Sequence, residues 1–297
     1  NRDVTKYMTF FRKLSDFQTA VLERLSDTYY ELLPLLTGYF KTSKAHFMIQ
    51  RNDVMDIITY NKMGNIYSND RIDISPSVEN AFENDYETNI PIMSFDREIQ
   101  NVFLLSESKE GSTYRLLVNG TVSGQKYAVY LSVWPNMDWD SMNEATLRSV
   151  IKLYIENGIM REKLVYESEH DGLTGLYNKG KYLSMSGKEY RNLDSIAMFN
   201  FDVNNLKLMN DRYGHEAGDK LLIKAANSIR KVTSNKVHAY RVGGDEFLVI
   251  AENVSYEETA SIKERWENEL ERLNSQDDGI NCVIAVGVVY AEKEYDY

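Results

Sequence analysis

Three carboxylates placed near two strand ends could do chemistry in this chain. Asp245 and Glu246 follow the glycine pair Gly243-Gly244. Apolar, strand-like runs lie on both sides, at 240–242 and 247–250. Two glycines between such runs predict a tight hairpin turn. Without a Cβ, glycine lets the backbone approach a bound group closely. Adjacent carboxylates at that turn suit a hard divalent cation, although an acidic hairpin alone is more often just a hairpin. Upstream, 196–201 is a second apolar strand with Asp202 at its C-terminal end, where open sheets hold their ligands. If the two strands are neighbours, Asp202 and Asp245 converge on a two-carboxylate metal site. Such a site suits nucleotidyl transfer by two metals.

The elements that must position these groups alternate. Helices are expected at 179–191, 204–213, 218–232 and 256–274, with strands at 195–201, 237–242, 247–251 and 280–290. Taken from the 195–201 strand, the order is βααββαβ, a mixed sheet flanked by helices. The N-terminal half reads differently. A helix is expected from 3 to about 37, with Pro34 and Gly38 near its end. Strand-like runs follow at 45–50, 54–60 and 99–105. Residues 61–75 are polar and turn-rich, and 78–86 reads as a short helix. Paired strands at 114–118 and 127–133 flank Asn119-Gly120. A second long helix covers 142 to about 169. The fold class is therefore α+β in both halves, with an antiparallel sheet in the first.

Composition bounds the function. A length of 297 residues suggests about two domains. A net charge of −11 repels polyanions, so a nucleic-acid polymer is not an expected partner. It leaves room for a nucleotide held by metals, because bound cations reverse the local sign. The single cysteine, Cys282, excludes an intrachain disulfide and suits a reducing, cytoplasmic setting. No run approaches 18 apolar residues, so no membrane segment is expected. The chain begins at Asn1 without Met, which leaves open a fragment with a membrane anchor upstream. Phe47, Met48, Tyr60, Met63 and Trp134 could line a pocket, but core packing is the commoner reason for such residues. His46 is expected to be packed or exposed, not a ligand.

Four blocks in order carry a resemblance. They are Asp171-Gly172-Leu173-Thr174-Gly175-Leu176-Tyr177-Asn178-Lys179, the stretch from Asp202 to Asp211, Gly214-His215 with Gly218-Asp219, and Gly243-Gly244-Asp245-Glu246-Phe247. From Asp171 to the end the chain resembles the GGDEF domain of the diguanylate cyclase family. The strands leading through Trp139-Asp140 into the long helix resemble the end of a GAF domain, with PAS as the runner-up. The implied organisation is a GAF-like sensor at 1–140, a linker or signalling helix at 141–170 and a GGDEF domain at 171–297. The implied reaction condenses two GTP into cyclic di-GMP with release of two pyrophosphates. Each site holds one GTP, so two protomers face each other in a homodimer. The sensor would take an unknown small ligand or protein.

The resemblance also implies roles. Asp202, the carbonyl of Val203 and Asp245 would hold Mg²⁺ or Mn²⁺. Asp245 would also assist deprotonation of the 3′-hydroxyl, with Glu246 the second acid of the motif. Asn210 and Asp219 would read guanine, whose N1–H and N2–H₂ edge suits a carboxylate acceptor. Lys207 would sit near the phosphates, and Gly243 and Gly244 would permit close approach of the ligand. His215 would be structural. Lys179 and Asn204 depart from the usual arginine and second aspartate. The stretch Ser234-Asn235-Lys236-Val237 lacks both ends of the family's R-x-x-D inhibitory site, so product inhibition there is not expected. The chain ends at Tyr297, before a helix whose basic residues hold the triphosphate in relatives. Weak GTP binding or inactivity of this length of chain is therefore expected, even where the parent is active. The alternative is a catalytically inactive GGDEF module that binds nucleotide or dimerises.

Overall fold

The computed structural model describes residues 5, 8–13, 28–104, 112–133, 141–187, 189–276 and 279–293. The middle of the first expected helix, together with Trp134, Trp139 and Asp140, lies outside them. The chain divides into two compact units, Asn1–Lys163 and Leu164–Tyr297.

In unit 1, α1 (Thr28–Phe40) runs through Pro34 to Phe40, further than expected. Pro34 has no N–H to give the carbonyl four residues back. That carbonyl, of Tyr30, instead accepts from the Tyr67 hydroxyl at 2.5 Å. Strands β1 (Lys44–Arg51), β2 (Val54–Asn61) and β3 (Ile66–Asp73) form a meander. After the short helix α2 (Pro76–Glu79) come β4 (Ile90–Pro91), α3 (Arg97–Leu104), β5 (Thr113–Val122) and β6 (Gln125–Val133). The sheet order is β3-β2-β1-β6-β5-β4. The long helix α4 (Ser141–Glu169) comes next, and the division between the units falls within it. Alternation along β1 sends Phe47 and Ile49 to a core with Leu32, Leu36, Ile151 and Ile155 of α1 and α4. Met48 goes to the other face, against Ile99, Val102 and Phe103 of α3.

Three expectations are corrected here. Residues 99–104 are helix, not strand. Asp96 caps that helix, its carboxylate accepting from Glu98 N at 2.8 Å, and Ile99, Val102 and Phe103 bury one helical face. The polar stretch 61–75 contains β3, an end strand whose exposed side has no need of apolar residues. The β5–β6 turn is at Ser123-Gly124, where both residues have positive φ (52° and 81°), as a two-residue hairpin loop demands. Gly120 instead lies within β5 opposite Tyr127. A Cβ there would stand 2.6 Å from the Tyr127 hydroxyl, so packing explains the glycine.

Unit 2 contains β7 (Tyr177–Asn178), α5 (Lys179–Ser186), β8 (Ser195–Val203), α6 (Leu206–Tyr213), α7 (His215–Arg230), β9 (Val237–Arg241), β10 (Glu246–Glu252), α8 (Tyr256–Asn274) and β11 (Ile284–Glu292). From β8 onward this is the expected βααββαβ order. The sheet order is β11-β8-β10-β9-β7, antiparallel except for β7 with β9. One face buries Phe199, Phe201, Phe247 and Val249 against Leu222, Ala225 and Ile229 of α7 and Ile262 and Trp266 of α8. The other buries Ile196, Leu248, Ile250 and Tyr240 with Tyr190, and Tyr182 and Met185 of α5 pack against them. No helix among the described residues is long and apolar enough to cross a membrane.

Unit 1 encloses an imidazole ring completely. His46 is buried, stacked 3.9 Å from the Phe103 ring, with Nδ1 2.9 Å from the Thr59 hydroxyl and no hydrogen-bond partner at Nε2. Burial, helped by the charge of Lys44, pushes its pKa from 6.5 down to about 3. The unfolded chain therefore takes up a proton that the folded chain refuses. The stability tied to the neutral ring is intact above pH 6.5 and is lost as the pH falls toward 3, at up to about 1.4 kcal/mol per pH unit. Urea unfolding of unit 1 at pH 7.5, 6 and 5 should show this fall. The His46→Gln variant should flatten it.

Candidate active site

Strands β8 and β10 are hydrogen-bonded neighbours, and their register sets the site. Phe247 pairs with Phe201, and Glu246 with Asp202. Phe201, Val203 and Phe247 are buried, while Asp202 and Glu246 are exposed. Cross-strand partners on one face have Cβ atoms about 5 Å apart, so two carboxylates face solvent side by side. Asp245 lies one residue further out, in the turn, and its carbonyl accepts from Val203 N at 2.9 Å. Beyond Val203 the chain leaves the sheet at once. Asn204 N donates to the carbonyl of Val283 at 2.9 Å, and Asn205 takes a left-handed conformation, φ 64°, ahead of α6. Asparagine tolerates that conformation better than most residues.

The glycine pair forms the expected hairpin turn, and it does so without left-handed backbone. Neither Gly243 nor Gly244 has positive φ. The amides of Val242 and Gly243 both donate to the Glu246 carbonyl, at 3.0 and 3.2 Å. What Gly243 supplies is room, since a Cβ there would stand 2.6 Å from Glu246 Oε2. Gly244 faces open space, where a ligand can approach. Arg241 braces the turn from behind. Its Nη2 donates to the Gly244 carbonyl at 2.8 Å, and its Nη1 donates to Asp171 Oδ1 at 3.0 Å. Asp171 also accepts from the Thr174 amide and hydroxyl at 2.8 and 2.7 Å. Burial alone would raise the Asp171 pKa, but the hydrogen bonds from Thr174 and Arg241 outweigh it and hold the carboxyl below its usual range. Sequence reasoning named Asp171 only as a motif residue and missed this tie. The available signal was that Asp171 is the only charge in 171–178 and Arg241 is the nearest cation to the glycine pair.

The two residues expected to read a base are brought together by the α6–α7 corner. Gly214 makes the corner with φ 85°, and its amide donates to the Asn210 carbonyl at 2.9 Å. Gly218, in the first turns of α7, is buried against the Asn210 amide. A Cβ on Gly218 would stand 1.9 Å from Asn210 Oδ1. Asn210 therefore lies against the residue that precedes Asp219, and Asp219 is exposed. Lys207 is exposed on α6, three residues before Asn210 and so on the same helical side. His215 opens α7.

A second unanticipated brace backs the strand end. Asn274 bonds both backbone groups of Cys282, each at 2.8 Å. The buried Lys224 donates to the Ile280 carbonyl at 2.5 Å. Together they fix the stretch before β11 whose Val283 carbonyl receives Asn204. Cys282 is buried as expected, and burial pushes its thiol up to about 11. Among the described residues, no group of three or more His, Cys, Asp or Glu is arranged to hold a metal ion. The available donors at the β8–β10 end are the carboxylates of Asp202, Asp245 and Glu246 and the Val203 carbonyl. All are hard oxygen donors, which suit Mg²⁺ or Mn²⁺ over softer ions.

Two outcomes test this geometry. Gly218→Ala should destabilise unit 2 by about 1–3 kcal/mol through overpacking. Adding Asn210→Ala should recover part of that loss, because the two changes act on one contact. Chemical denaturation of the single and double variants measures the coupling. Arg241→Ala should cost about 1–3 kcal/mol by leaving Asp171 without its cation. Arg241→Lys should restore only part of this, since one ammonium cannot span Asp171 and the Gly244 carbonyl as a guanidinium fork does.

Comparison with known proteins agrees with these motifs. Residues 168–297 match the family described as diguanylate cyclase, GGDEF domain. The diguanylate cyclase DgcP of Escherichia coli is 32% identical over 146 residues, which cover 44% of this chain and 43% of that protein. The diguanylate cyclase DgcS of Shewanella oneidensis is 35% identical over 101 residues, 32% of this chain and 34% of that protein. A sensory box/GGDEF family protein of known structure from Caulobacter crescentus is 30% identical, with 41% of this chain and 83% of that chain covered and a TM-score of 0.32. The chain spans less than half the length of these curated relatives. Residues 168–297 are a GGDEF domain.

Proposed function

We propose that the protein is a diguanylate cyclase that condenses two GTP into cyclic di-GMP, releasing two pyrophosphates. The observation that carries this reading is the β8–β10 register, with Asp202 opposite Glu246 and the Val203 amide on the Asp245 carbonyl. Only Asn204 and Asn205 separate this acidic strand end from α6, whose corner with α7 joins Asn210 and Asp219. Asp202, Asp245 and the Val203 carbonyl would hold Mg²⁺ or Mn²⁺. Such a cation, when bound, lowers the pKa of a hydroxyl and offsets charge developing on phosphate. Asp245 accepts the proton of the attacking 3′-hydroxyl, and Glu246 adds negative charge beside it. Asp219 accepts from the guanine N1–H and N2–H₂ groups, and Asn210 completes that recognition with its amide. Adenine lacks the paired donor edge, so it leaves Asp219 unsatisfied. Lys207 draws the phosphates toward α6. Gly243 and Gly244 let the nucleotide lie against the backbone.

One site holds one GTP, so catalysis needs a homodimer that sets two sites face to face. In this reading residues 1–140 are a sensor for a small ligand or protein, 141–170 a signalling helix and 171–297 the GGDEF domain. A GTP-consuming site belongs in the cytoplasm, where GTP is supplied.

The protein in its full natural length, given GTP and Mg²⁺, should form cyclic di-GMP, separable by chromatography. Asp245→Ala should lower the rate by roughly a hundredfold or more while leaving the fold intact by circular dichroism. ATP should not substitute for GTP. GTP binding and dimerisation without product would instead support an inactive nucleotide-binding module.

A further inference from the structure

Unit 1 has an open groove of about 420 Å³ between β3 and α3, lined by Asp70, Ile72, Asp73, Glu98, Asn101 and Val102. Two features set it apart from an ordinary surface dent. First, β3 ends the six-stranded sheet. It pairs with β2 along all eight of its residues, and no strand among the described residues takes its other side. Alternate N–H and C=O groups of β3 therefore point outward, ready for another strand. Second, the groove is acidic and uncompensated. No cation among the described residues pairs with Asp70, Asp73 or Glu98. Arg71, which also borders the groove, is committed to Asp56 by two bonds of 2.6 and 3.1 Å. Asp70 Oδ2 is shielded from solvent yet has no hydrogen-bond donor.

We propose that this edge docks an extended segment of a basic partner protein, which adds to the sheet beside β3 and places Lys or Arg against Asp70, Asp73 and Glu98. Carboxylates along an end strand commonly guard it against pairing, and they do so here against acidic strands. A second copy of this chain, with its net charge of −11, would set carboxylate against carboxylate at β3. A basic segment reverses that sign at Asp70, Asp73 and Glu98. Sites for small ligands are usually more enclosed and more apolar than this groove. An open channel beside free backbone groups is the geometry of strand addition.

The test uses the whole chain and a fluorescein-labelled hexapeptide, acetyl-Lys-Val-Lys-Val-Lys-Val-amide, read by fluorescence anisotropy. Its acidic counterpart has Glu in place of Lys. The basic peptide should bind, and the acidic one should not. Both Asp73→Lys and Glu98→Lys lie at exposed positions and should leave the circular dichroism spectrum unchanged. Together they should weaken the basic peptide about tenfold or more and admit the acidic one. A basic peptide methylated on alternate backbone nitrogens should lose binding, because it cannot complete the ladder. Failure of the basic peptide to bind overturns the proposal. So does equal binding of both peptides, indifference to the charge reversals, or full binding by the methylated peptide.

Discussion

A strand has a side-chain period of two, so the pairing of β8 with β10 decides which of their residues share a face. Phe199, Phe201 and Val203 alternate with Asn200 and Asp202, and Phe247, Val249 and Ala251 alternate with Glu246 and Leu248. The aromatic and branched residues enter the core under α7 and α8. A slip of one residue would bury Asp202 among phenylalanines, at a cost of several kcal/mol for an unpaired charge. The same burial that stabilises the sheet thus aligns the acidic residues at one end of it. Side chains on both helix-covered strands must agree on this register, which makes the site a by-product of the core.

Glycines then solve local crowding. Gly243 leaves room for the Glu246 side chain, and Gly218 leaves room for the Asn210 amide. Each lies where a side chain of the candidate site occupies the volume that a Cβ would need. The free choice of φ that glycine offers is used at Gly214, the corner between α6 and α7. Two different physical reasons for glycine therefore serve one site.

The strand and helix order from β8 onward was legible because its apolar runs are long and bounded by clear turn residues. Helix α8, 256–274, starts from a capping box at Ser255 and Glu258, a signal written into adjacent positions. Legibility failed where a short segment could satisfy either period. Residues 99–104 carry too few apolar side chains to separate strand from helix, and the Asp96 cap decides the matter. β3 was hidden because an end strand exposed on one side shows no apolar alternation. Asn119-Gly120 looked like a turn because the packing of Gly120 beneath Tyr127 is a cross-strand fact. The acidic residues and those expected to read a base were visible as motifs, whereas the groups that hold them were not. Arg241 with Asp171, and Lys224 and Asn274 with the stretch before β11, pair residues from 8 to 70 positions apart. Nothing in local pattern reports such a distance.

These braces also suggest how the site could be tuned. Within unit 2, the last residues of α4 are clamped to the motif segment that begins at Asp171. The Asn178 amide donates to the carbonyls of Ser168 and His170 at 2.8 and 3.3 Å, Lys181 pairs with Glu169 at 2.8 Å, and the His170 ring stacks 3.8 Å from Tyr166. Asp171 is the next residue, and through Arg241 it reaches the Gly244 carbonyl in the turn that carries Asp245. Apart from the stacked rings, each link is a directional hydrogen bond or ion pair, so a small rotation of the α4 end changes bond geometry instead of being absorbed by soft packing. The turn itself is held by the two amide bonds to the Glu246 carbonyl, by Arg241 on the Gly244 carbonyl and by the Val203 amide on the Asp245 carbonyl. The covalent step from His170 to Asp171 and the contacts of Arg241 with Asp171 and the Gly244 carbonyl couple the end of α4 to this turn. Coupling of this kind needs no change in the core, where the β8–β10 register stays fixed.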